Sequence, residues 1–309
     1  MKVTVLVDNR DGEQIRGEWG LSFYIEYTYE GAGMENDGKG SRTVLLDAGL
    51  SGLFAENAEK LGLDIKAVDY AVLSHAHDDH ANGLGTFFEL NDHAPLYVAE
   101  GCDENCYDRR GIFMKYAGVP RGIMKRHAGR IVKAGTGKSG RPEMTEKADK
   151  TERPDSAGKG GMITRIDKGI SLLGHSTPGL DRLGRAEKMY LRQGLLKFIP
   201  DDFRHEVSLV FELPEGIVVF NSCSHAGADN IINEAKQAYP GRRILAMIGG
   251  FHLYNKTDKY VRDFARRVLE TGVEAVYTSH CTGERAMQIL SGELGDKMHA
   301  FCTGTTFEI

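Results

Sequence analysis

The clearest capacity for chemistry lies in the run H-A-H-D-D-H at residues 75–80, which gathers three imidazoles and two carboxylates. The run directly follows the apolar segment Ala67–Leu73, whose pattern predicts a β-strand. Imidazole and carboxylate together suit zinc, iron or manganese. The predicted metal ligands in this run are His75, His77, Asp79 and His80.

Residues that leave a strand point alternately to different sides, so one loop can serve two ions. His75 and His77 would face one ion, and Asp79 and His80 would face a second. Two ions about 3.5–4 Å apart can hold a nucleophilic hydroxide and stabilise a leaving oxygen. The sequence therefore predicts metal-assisted catalysis in which Asp79 takes part.

Three later histidines also follow predicted strands. His225 comes shortly after Ile217–Phe220 in the motif C-S-H-A-G, and His252 stands in G-G-F-H-L. His280 begins the motif H-C-T-G after a further apolar segment. Three successive strand ends with histidine, in a chain that carries the first run, favour a shared metal site over structural histidines.

Composition limits the other classes of function. The chain has 309 residues, a formal net charge of −5 and a pI of about 6.1, which gives no indication of a nucleic-acid partner. No apolar stretch approaches the roughly 20 residues that span a bilayer, and the N-terminus predicts a strand rather than a signal peptide. We expect a cytoplasmic protein with no membrane partner and an anionic small-molecule substrate; homo-oligomerisation stays open.

The order of predicted elements is that of one α/β domain over residues 1–309, with strands and helices on both sides of an insertion at about 101–161. The insertion is rich in Lys, Arg and Gly, and we expect it to be partly helical near Arg109–Tyr116 and otherwise loop. Such a long segment is either a lid that steers an anionic substrate or a solvated surface loop.

The metal run, with Asp47-Ala48-Gly49 after an upstream strand, resembles the metallo-β-lactamase superfamily. The motifs C-S-H-A-G, G-G-F-H-L and H-C-T-G, with Asp8-Asn9 and the segment D-D-F-R-H-E at 201–206, resemble its dihydropterin–ribofuranosylaminobenzene-phosphate synthase branch. The resemblance implies an αββα sandwich with the metals at one edge, between the sheets, and a lid-like inserted segment. It covers nearly the whole chain.

The resemblance also implies roles for residues outside the metal run. His225 and His280 would complete the two metal shells, and His252 would act in catalysis as a general acid or base. Asp47 would anchor the metal loop from behind. Cys223 stands near the place of a bridging Asp, so we assign it to the surroundings of the metals, with a thiolate ligand as the alternative; without a bridging carboxylate the second ion could be weak or absent.

Two further motifs are weaker candidates. The sequence G-H-S-T-P-G places His175 in an element that supplies a metal ligand in many superfamily members, but motif context favours His225. The pair Cys102 and Cys106 could begin a zinc knuckle with His93 and His127, although lone cysteine pairs are usually structural. We interpret His93, His127, His205 and His299 as non-ligands.

Several functions fit such a site. The resemblance implies a synthase that joins a dihydropterin to a ribofuranosylaminobenzene phosphate in methanopterin-type cofactor synthesis. A metal-dependent hydrolase of a phosphodiester, ester or thioester is the alternative, and a di-iron redox protein or a binding module ranks below both. The expected cofactor is two divalent metal ions, with zinc favoured and iron, manganese or magnesium as alternatives.

The choice of His225 over His175 gives a first prediction. His77→Ala should sharply lower the metal content of the purified protein, measured by elemental analysis, whereas His175→Ala should leave it unchanged. Equal metal loss in the two variants would overturn the choice.

Overall fold

The structure is a computed structural model, which describes residues 1–29, 40–134 and 162–309. Two seven-stranded sheets stack face to face, and helices cover the outer face of each. This is the αββα sandwich that the family resemblance implies, and that expectation is confirmed.

The strands of the described residues are numbered in chain order. They are β1 (Lys2–Val7), β2 (Ser22–Tyr29), β3 (Gly40–Leu46), β4 (Tyr70–Val72), β5 (Leu96–Ala99), β6 (Cys106–Arg110), β7 (Phe113–Tyr116), β8 (Ile131–Ala134), β9 (Ile163–Asp167), β10 (Ile170–Gly174), β11 (Met189–Gln193), β12 (Lys197–Pro200), β13 (Val207–Leu213), β14 (Gly216–Phe220), β15 (Ile244–Gly249), β16 (Ala275–Thr278), β17 (Met298–Ala300) and β18 (Thr306–Glu308).

The α-helices of the described residues are α1 (Leu53–Lys60), α2 (Asp78–Ala81), α3 (Leu84–Leu90), α4 (Ile123–Arg126), α5 (Leu180–Glu187), α6 (Ala228–Ala238), α7 (Asp258–Thr271) and α8 (Glu284–Leu294). Helix α7 illustrates how the sequence determines where a helix begins and ends. The Thr257 hydroxyl accepts a hydrogen bond from the Tyr260 N–H at the start, and Gly272 takes a left-handed conformation at the end.

The first sheet has the order β18-β1-β2-β3-β4-β5-β8 and the second has the order β17-β16-β15-β14-β13-β10-β9. A smaller third sheet has the order β12-β11-β6-β7. Apolar side chains from the inner faces of the two large sheets, such as Phe23 and Phe220, pack edge to face with ring centroids 5.8 Å apart. The stacked sheets therefore fix the positions of the loops at their edges.

Strand direction brings the candidate residues to one edge. Strands β3 and β4 are parallel, and so are β14, β15 and β16. Strand β13 is antiparallel to β14, so the segment that precedes it lies at the edge where β14 ends. Ligand sites of α/β proteins commonly lie outside the carboxyl ends of parallel strands, because those ends share one edge of the sheet.

The described part of the predicted insertion, residues 101–134, differs from the expectation. Arg109–Tyr116 is not helical: β6 and β7 form an antiparallel hairpin that continues through β11 into the third sheet. Strand β8 pairs in parallel with β5 and extends the first large sheet. The rest of the predicted insertion, 135–161, lies outside the described residues, and a lid role stays a prediction.

The helices in the described part of the chain are all too short or too polar to cross a lipid bilayer.

Candidate metal centre

The predicted ligands of the metal run lie on the loop between β4 and the short helix α2. The imidazole ring of His75 lies 4.6 Å from that of His77 and 4.2 Å from that of His80, measured between ring centroids. The His80 carbonyl accepts a hydrogen bond from the Ala48 N–H at 2.8 Å, which ties the loop to the end of β3. All three rings are buried.

The later histidines approach this loop from the second sheet. The His225 ring lies 5.2 Å from the rings of both His75 and His77. The His280 ring lies 4.9 Å from that of His80, and the His252 ring lies 4.5 Å from that of His225. Side chains from the two sheets thus form one buried cluster at their common edge.

Several ring nitrogens of this cluster are buried and have no hydrogen-bond partner in the described part of the chain. They are Nε2 of His75, Nε2 of His280 and both ring nitrogens of His225 and His252. Buried polar atoms are nearly always paired, because an unpaired one loses its hydration without compensation. The unprotonated nitrogens among them fit a bound cation, which would satisfy several of them at once.

Outer hydrogen bonds orient three of the rings toward the cluster. The Ser74 hydroxyl donates to Asp47, so it accepts from Nδ1 of His75 at 2.8 Å. Nδ1 of His80 donates to the Asp47 carboxylate at 2.7 Å, and Nδ1 of His280 donates to the Asn9 side-chain oxygen at 2.9 Å. Each bond puts a proton on Nδ1 and leaves Nε2 as the nitrogen that can bind metal.

Burial sets the charge of several imidazoles. Burial and the neighbouring imidazoles lower the pKa of His75 and of His225 well below the usual range, and burial also lowers the pKa of His280. These rings are therefore neutral at pH 7, which is the protonation state that binds a metal ion.

The pKa of His80 is shifted in the opposite direction. Burial alone would lower its pKa, but the carboxylates of Asp79 and Asp47 outweigh burial and raise the pKa of His80 to about 9. The Asp79 carboxylate lies 3.6 Å from Nε2 of His80 and 3.5 Å from Nε2 of His280. A cation bound by these groups would replace the second proton of His80, so binding there releases a proton.

Asp47 anchors the metal loop, as the sequence analysis expects of it. Its carboxylate accepts three hydrogen bonds of 2.7 Å, from the Ser74 N–H, the Ser74 hydroxyl and Nδ1 of His80. Asp47 has a positive φ of 60°, which is costly for a residue other than glycine. The bonds to the loop stabilise that conformation.

Cys223 occupies a central position in the cluster. Its Sγ lies 3.3 Å from Nε2 of His80. The same sulfur could share a cation with His75 and His80, with His225 and His252, or with His280 and Cys281. Burial raises the pKa of the Cys223 thiol well above its usual range, although a coordinated metal ion deprotonates such a thiol. This position favours the thiolate-ligand alternative over a role outside the ligand set.

Left-handed backbone is concentrated at the centre. The described residues include six non-glycine positions with φ near +50° to +60°, and all but Lys188 lie in the cluster or in the loops that hold it. The other five are Asp47, Phe203, Ser224, His252 and His280. Such conformations cost free energy and persist where surrounding contacts enforce them, which is typical of functional sites.

The segment at 201–206 supplies contacts to which the sequence analysis gave no role. The Asp201 carboxylate lies 3.0 Å from Nε2 of His205 and 3.6 Å from Nε2 of His77. Both neighbouring imidazoles outweigh burial and lower the pKa of Asp201. Glu206 accepts the N–H groups of His225 and Ala226 at 2.9 and 3.1 Å and so holds the His225 loop.

His205 was interpreted as a non-ligand, yet it lies beside the cluster. Its Nδ1 accepts the Ala76 N–H at 3.2 Å, and it lies close to His77, Cys106 and Asp201. The spacing of D-D-F-R-H-E alone could not reveal this, because the contacts depend on where β13 begins in the sheet.

Asp8 and Asn9, at the end of β1, hold the last histidine from behind. Asp8 accepts the His280 N–H at 2.9 Å and the Ser279 hydroxyl at 2.8 Å. In the sequence, this pair is visible only as part of a motif. Its position after the apolar strand β1 was the available signal.

His252 has an acidic neighbour from helix α5. Nε2 of His252 lies 3.6 Å from Glu187, whose carboxylate also accepts from Lys256 at 2.5 Å and Asn255 at 2.8 Å. Burial alone would lower the pKa of His252, but Cys281 and Glu187 raise it to about 9. The ring is therefore protonated at pH 7.

His175 and the cysteine pair have other surroundings. His175 bonds to Glu234 at 2.8 Å through Nδ1, and its Nε2 lies 3.1 Å from both Ser208 and Asn221. Both of its ring nitrogens thus have protein partners, unlike those of His225. His127, proposed for a zinc knuckle, stacks on Phe88 with ring centroids 3.9 Å apart.

Asp47→Asn tests the anchor. An amide has one acceptor oxygen and one NH2 group, so it cannot accept all three hydrogen bonds that the two carboxylate oxygens receive, and we expect zinc affinity to fall about 10- to 100-fold. The measurement is titration against a competing chelator. Asp64→Asn is the control, because Asp64 is exposed and caps only the Lys66 N–H. Equal affinities in the two variants would contradict the anchoring role.

The geometry can be compared with known proteins. The model of the metallo-β-lactamase superfamily matches residues 37–182. The chain is 25% identical over 298 residues to 7,8-dihydropterin-6-methyl-4-(β-D-ribofuranosyl)-aminobenzene-5′-phosphate synthase of Methanocaldococcus jannaschii, which covers 91% of this chain and 87% of the relative.

Solved structures agree in fold. The crystal structure of Tm1679, described as a metal-dependent hydrolase of the β-lactamase superfamily, has 27% identity and a TM-score of 0.73, with 100% of this chain and 99% of that chain covered. Zn²⁺-bound PqqB from Methylobacterium extorquens has 11% identity and a TM-score of 0.55 with full coverage of both chains, which shows likeness of fold alone. The chain has the metallo-β-lactamase fold, matches the family model of that superfamily of metal-dependent enzymes over residues 37–182, and resembles its dihydropterin–ribofuranosylaminobenzene-phosphate synthase branch.

Proposed function

We propose that the protein is a binuclear metal-dependent synthase that joins a dihydropterin to a phosphorylated ribofuranosylaminobenzene. The proposed metal binding is supported by the buried imidazole nitrogens that converge without hydrogen-bond partners among the described residues. The proposed pair of substrates is supported by the synthase relative, whose similarity extends over 91% of the chain.

The proposed ligands divide into two groups. His75, His77 and His225 would hold one cation, since their ligand atoms lie within 4.8 Å of one another. Asp79, His80 and His280 would hold the second, with Cys223 between the two groups. Zinc suits this mixture of imidazole, carboxylate and thiolate ligands. Divalent cations at such a centre supply Lewis acidity that stabilises negative charge on phosphate and leaving oxygens.

The proposed reaction breaks the carbon–oxygen bond between the dihydropterin methylene group and pyrophosphate. The electron pair of that bond stays on the pyrophosphate. The aminobenzene nitrogen forms a new carbon–nitrogen bond to the methylene carbon and releases its proton to solvent. The chain must therefore stabilise an anionic leaving group and hold two substrates together.

His252 fits the role of proton donor to the leaving group. Its raised pKa of about 9 keeps it protonated at neutral pH, and Glu187 holds that charge in place. Asp79 stays ionised, because the surrounding imidazoles outweigh burial and lower its pKa. It therefore contributes a fixed negative charge to the second group of ligands.

A hydrolase is the second candidate, and the similarity to Tm1679 favours it. The same centre would then act on a phosphodiester, ester or thioester, with water in place of the aminobenzene nitrogen. Only the synthase requires a second organic substrate.

Metal-loaded protein incubated with the dihydropterin pyrophosphate and the ribofuranosylaminobenzene phosphate tests the proposal. We expect pyrophosphate release and the condensed product, detected by mass spectrometry, only when both substrates are present. His252→Gln should retain its metal and lower kcat about 100- to 10,000-fold, the usual contribution of general acid catalysis. Pyrophosphate release without the aminobenzene substrate, or turnover of bis(4-nitrophenyl) phosphate alone, would contradict the synthase and favour the hydrolase.

A further inference from the structure

A row of ring contacts runs through the candidate metal centre and ends at an exposed aromatic side chain on each side. From one end to the other the rings belong to Trp19, His280, His80, His75, His225, His252 and Tyr254. The Trp19 ring lies 5.6 Å from that of His280, and the Tyr254 ring lies 5.3 Å from that of His252. Both end rings are about half exposed, at 52% each.

The backbone that carries Trp19 is fixed on both sides. The Asn9 side-chain oxygen accepts the Gly20 N–H at 3.1 Å and also accepts from Nδ1 of His280. Gly20 packs so closely on the metal loop that a Cβ there would lie 2.5 Å from the Asp79 carbonyl oxygen. On the other side, Glu18 accepts the N–H groups of Leu50 and Ser51 at 3.0 and 2.9 Å.

The backbone of Tyr254 is fixed as well. Its N–H donates to the Cys281 carbonyl at 3.2 Å. A Cβ on Gly283 would lie 2.8 Å from the Tyr254 Cα, so the two chain segments are in direct contact. The His280–Gly283 segment therefore positions both end rings relative to the centre.

Rigid aromatic rings that are left half exposed are suited to stacking on a ligand. Their backbone is already ordered, so binding loses little further conformational entropy. Planar rings gain dispersion and electrostatic energy from offset or edge contacts with a second planar ring. Two such rings stand at opposite ends of a polar, charged centre. Each can bind an apolar part of a ligand, with the reacting bond of that ligand between them.

We propose that Trp19 and Tyr254 are two stacking platforms for planar aromatic rings of the substrates, one at each end of the imidazole row. This inference rests on the proposed function and narrows its substrate class to molecules that carry a flat aromatic or heteroaromatic ring beside the reacting bond. It fits a reaction that unites two ring-bearing molecules, because each ring then has its own platform.

Binding to metal-loaded, full-length protein is the test, and it needs no turnover. Trp19 is the only tryptophan in the chain, so its fluorescence reports on this place alone. 6-Hydroxymethylpterin should quench it saturably, after correction against free N-acetyltryptophanamide. Ribose 5-phosphate, which carries the anionic group but no aromatic ring, should not.

Variants distinguish stacking of the two rings on a ligand from a purely structural role of Trp19 and Tyr254. Equilibrium dialysis with 6-hydroxymethylpterin and with 4-aminobenzoate should show that Trp19→Leu weakens one of the two probes roughly tenfold or more and that Tyr254→Leu weakens the other, as the loss of a stacked ring does elsewhere. Trp19→Phe and Tyr254→Phe should restore most of the affinity. Tyr260→Leu is the matched control, since Tyr260 is a 44% exposed tyrosine of helix α7 outside the centre.

The results that overturn the platforms are distinct from those that overturn the synthase. Unchanged affinity for both probes in either leucine variant would refute the platforms, and so would loss of bound metal in that variant, because the effect would then be structural. The proposed synthase activity is tested separately, by product formation with the unmodified protein.

Discussion

The structure depends on the burial of imidazole nitrogens that have no hydrogen-bond partner among the described residues. Three histidines from the two sheets, His75, His225 and His280, contribute such atoms to one cluster. Each unpaired buried polar atom costs about 1–3 kcal/mol. A chain that orders these groups at one edge, instead of pairing them with its own backbone, is organised around a ligand that they share.

The surroundings of the cluster follow from that constraint. Carboxylates and an amide stand behind the histidines: Asp47 behind His80, Asp201 beside His77 and Asn9 behind His280. Asp47 and Asn9 accept the Nδ1 protons of His80 and His280 and so leave Nε2 of these two rings to face the centre. The loops that carry these groups adopt left-handed backbone at non-glycine residues, and the sandwich of stacked sheets supplies the rigidity that stabilises such conformations.

Much of this arrangement could be predicted from the sequence, because strand patterns and the residues that follow them are local signals. Helix α7 shows such local signals, since Thr257 and Gly272 mark its ends. The metal run after β4 was equally accessible, whereas the αββα sandwich was implied by the resemblance to the metallo-β-lactamase superfamily. The hairpin at 106–116 was not, because Arg109 and Lys115 lie in a charged segment without clear alternation and the hairpin is held by pairing with the distant strand β11.

The residues around the metal centre were also harder to predict, because their contacts join parts of the chain that are far apart in sequence. Asp201, Glu206 and Glu187 act on histidines that are far away in sequence, and no local spacing encodes those contacts. Cys223 was recognised as unusual, but only the three-dimensional arrangement shows it at the middle of the cluster. Trp19 and Tyr254 have no motif of their own; their significance comes from the rings beside them.

Anomalous X-ray diffraction from crystals of the zinc-loaded protein tests the central claim most directly. The account predicts anomalous peaks at the sheet edge, with zinc about 2.0–2.1 Å from ring nitrogens of His75 and His225 at one position and of His80 and His280 at the other. Peaks elsewhere, or rings of His225 and His280 that contact no ion also bound by the 75–80 loop, would contradict it.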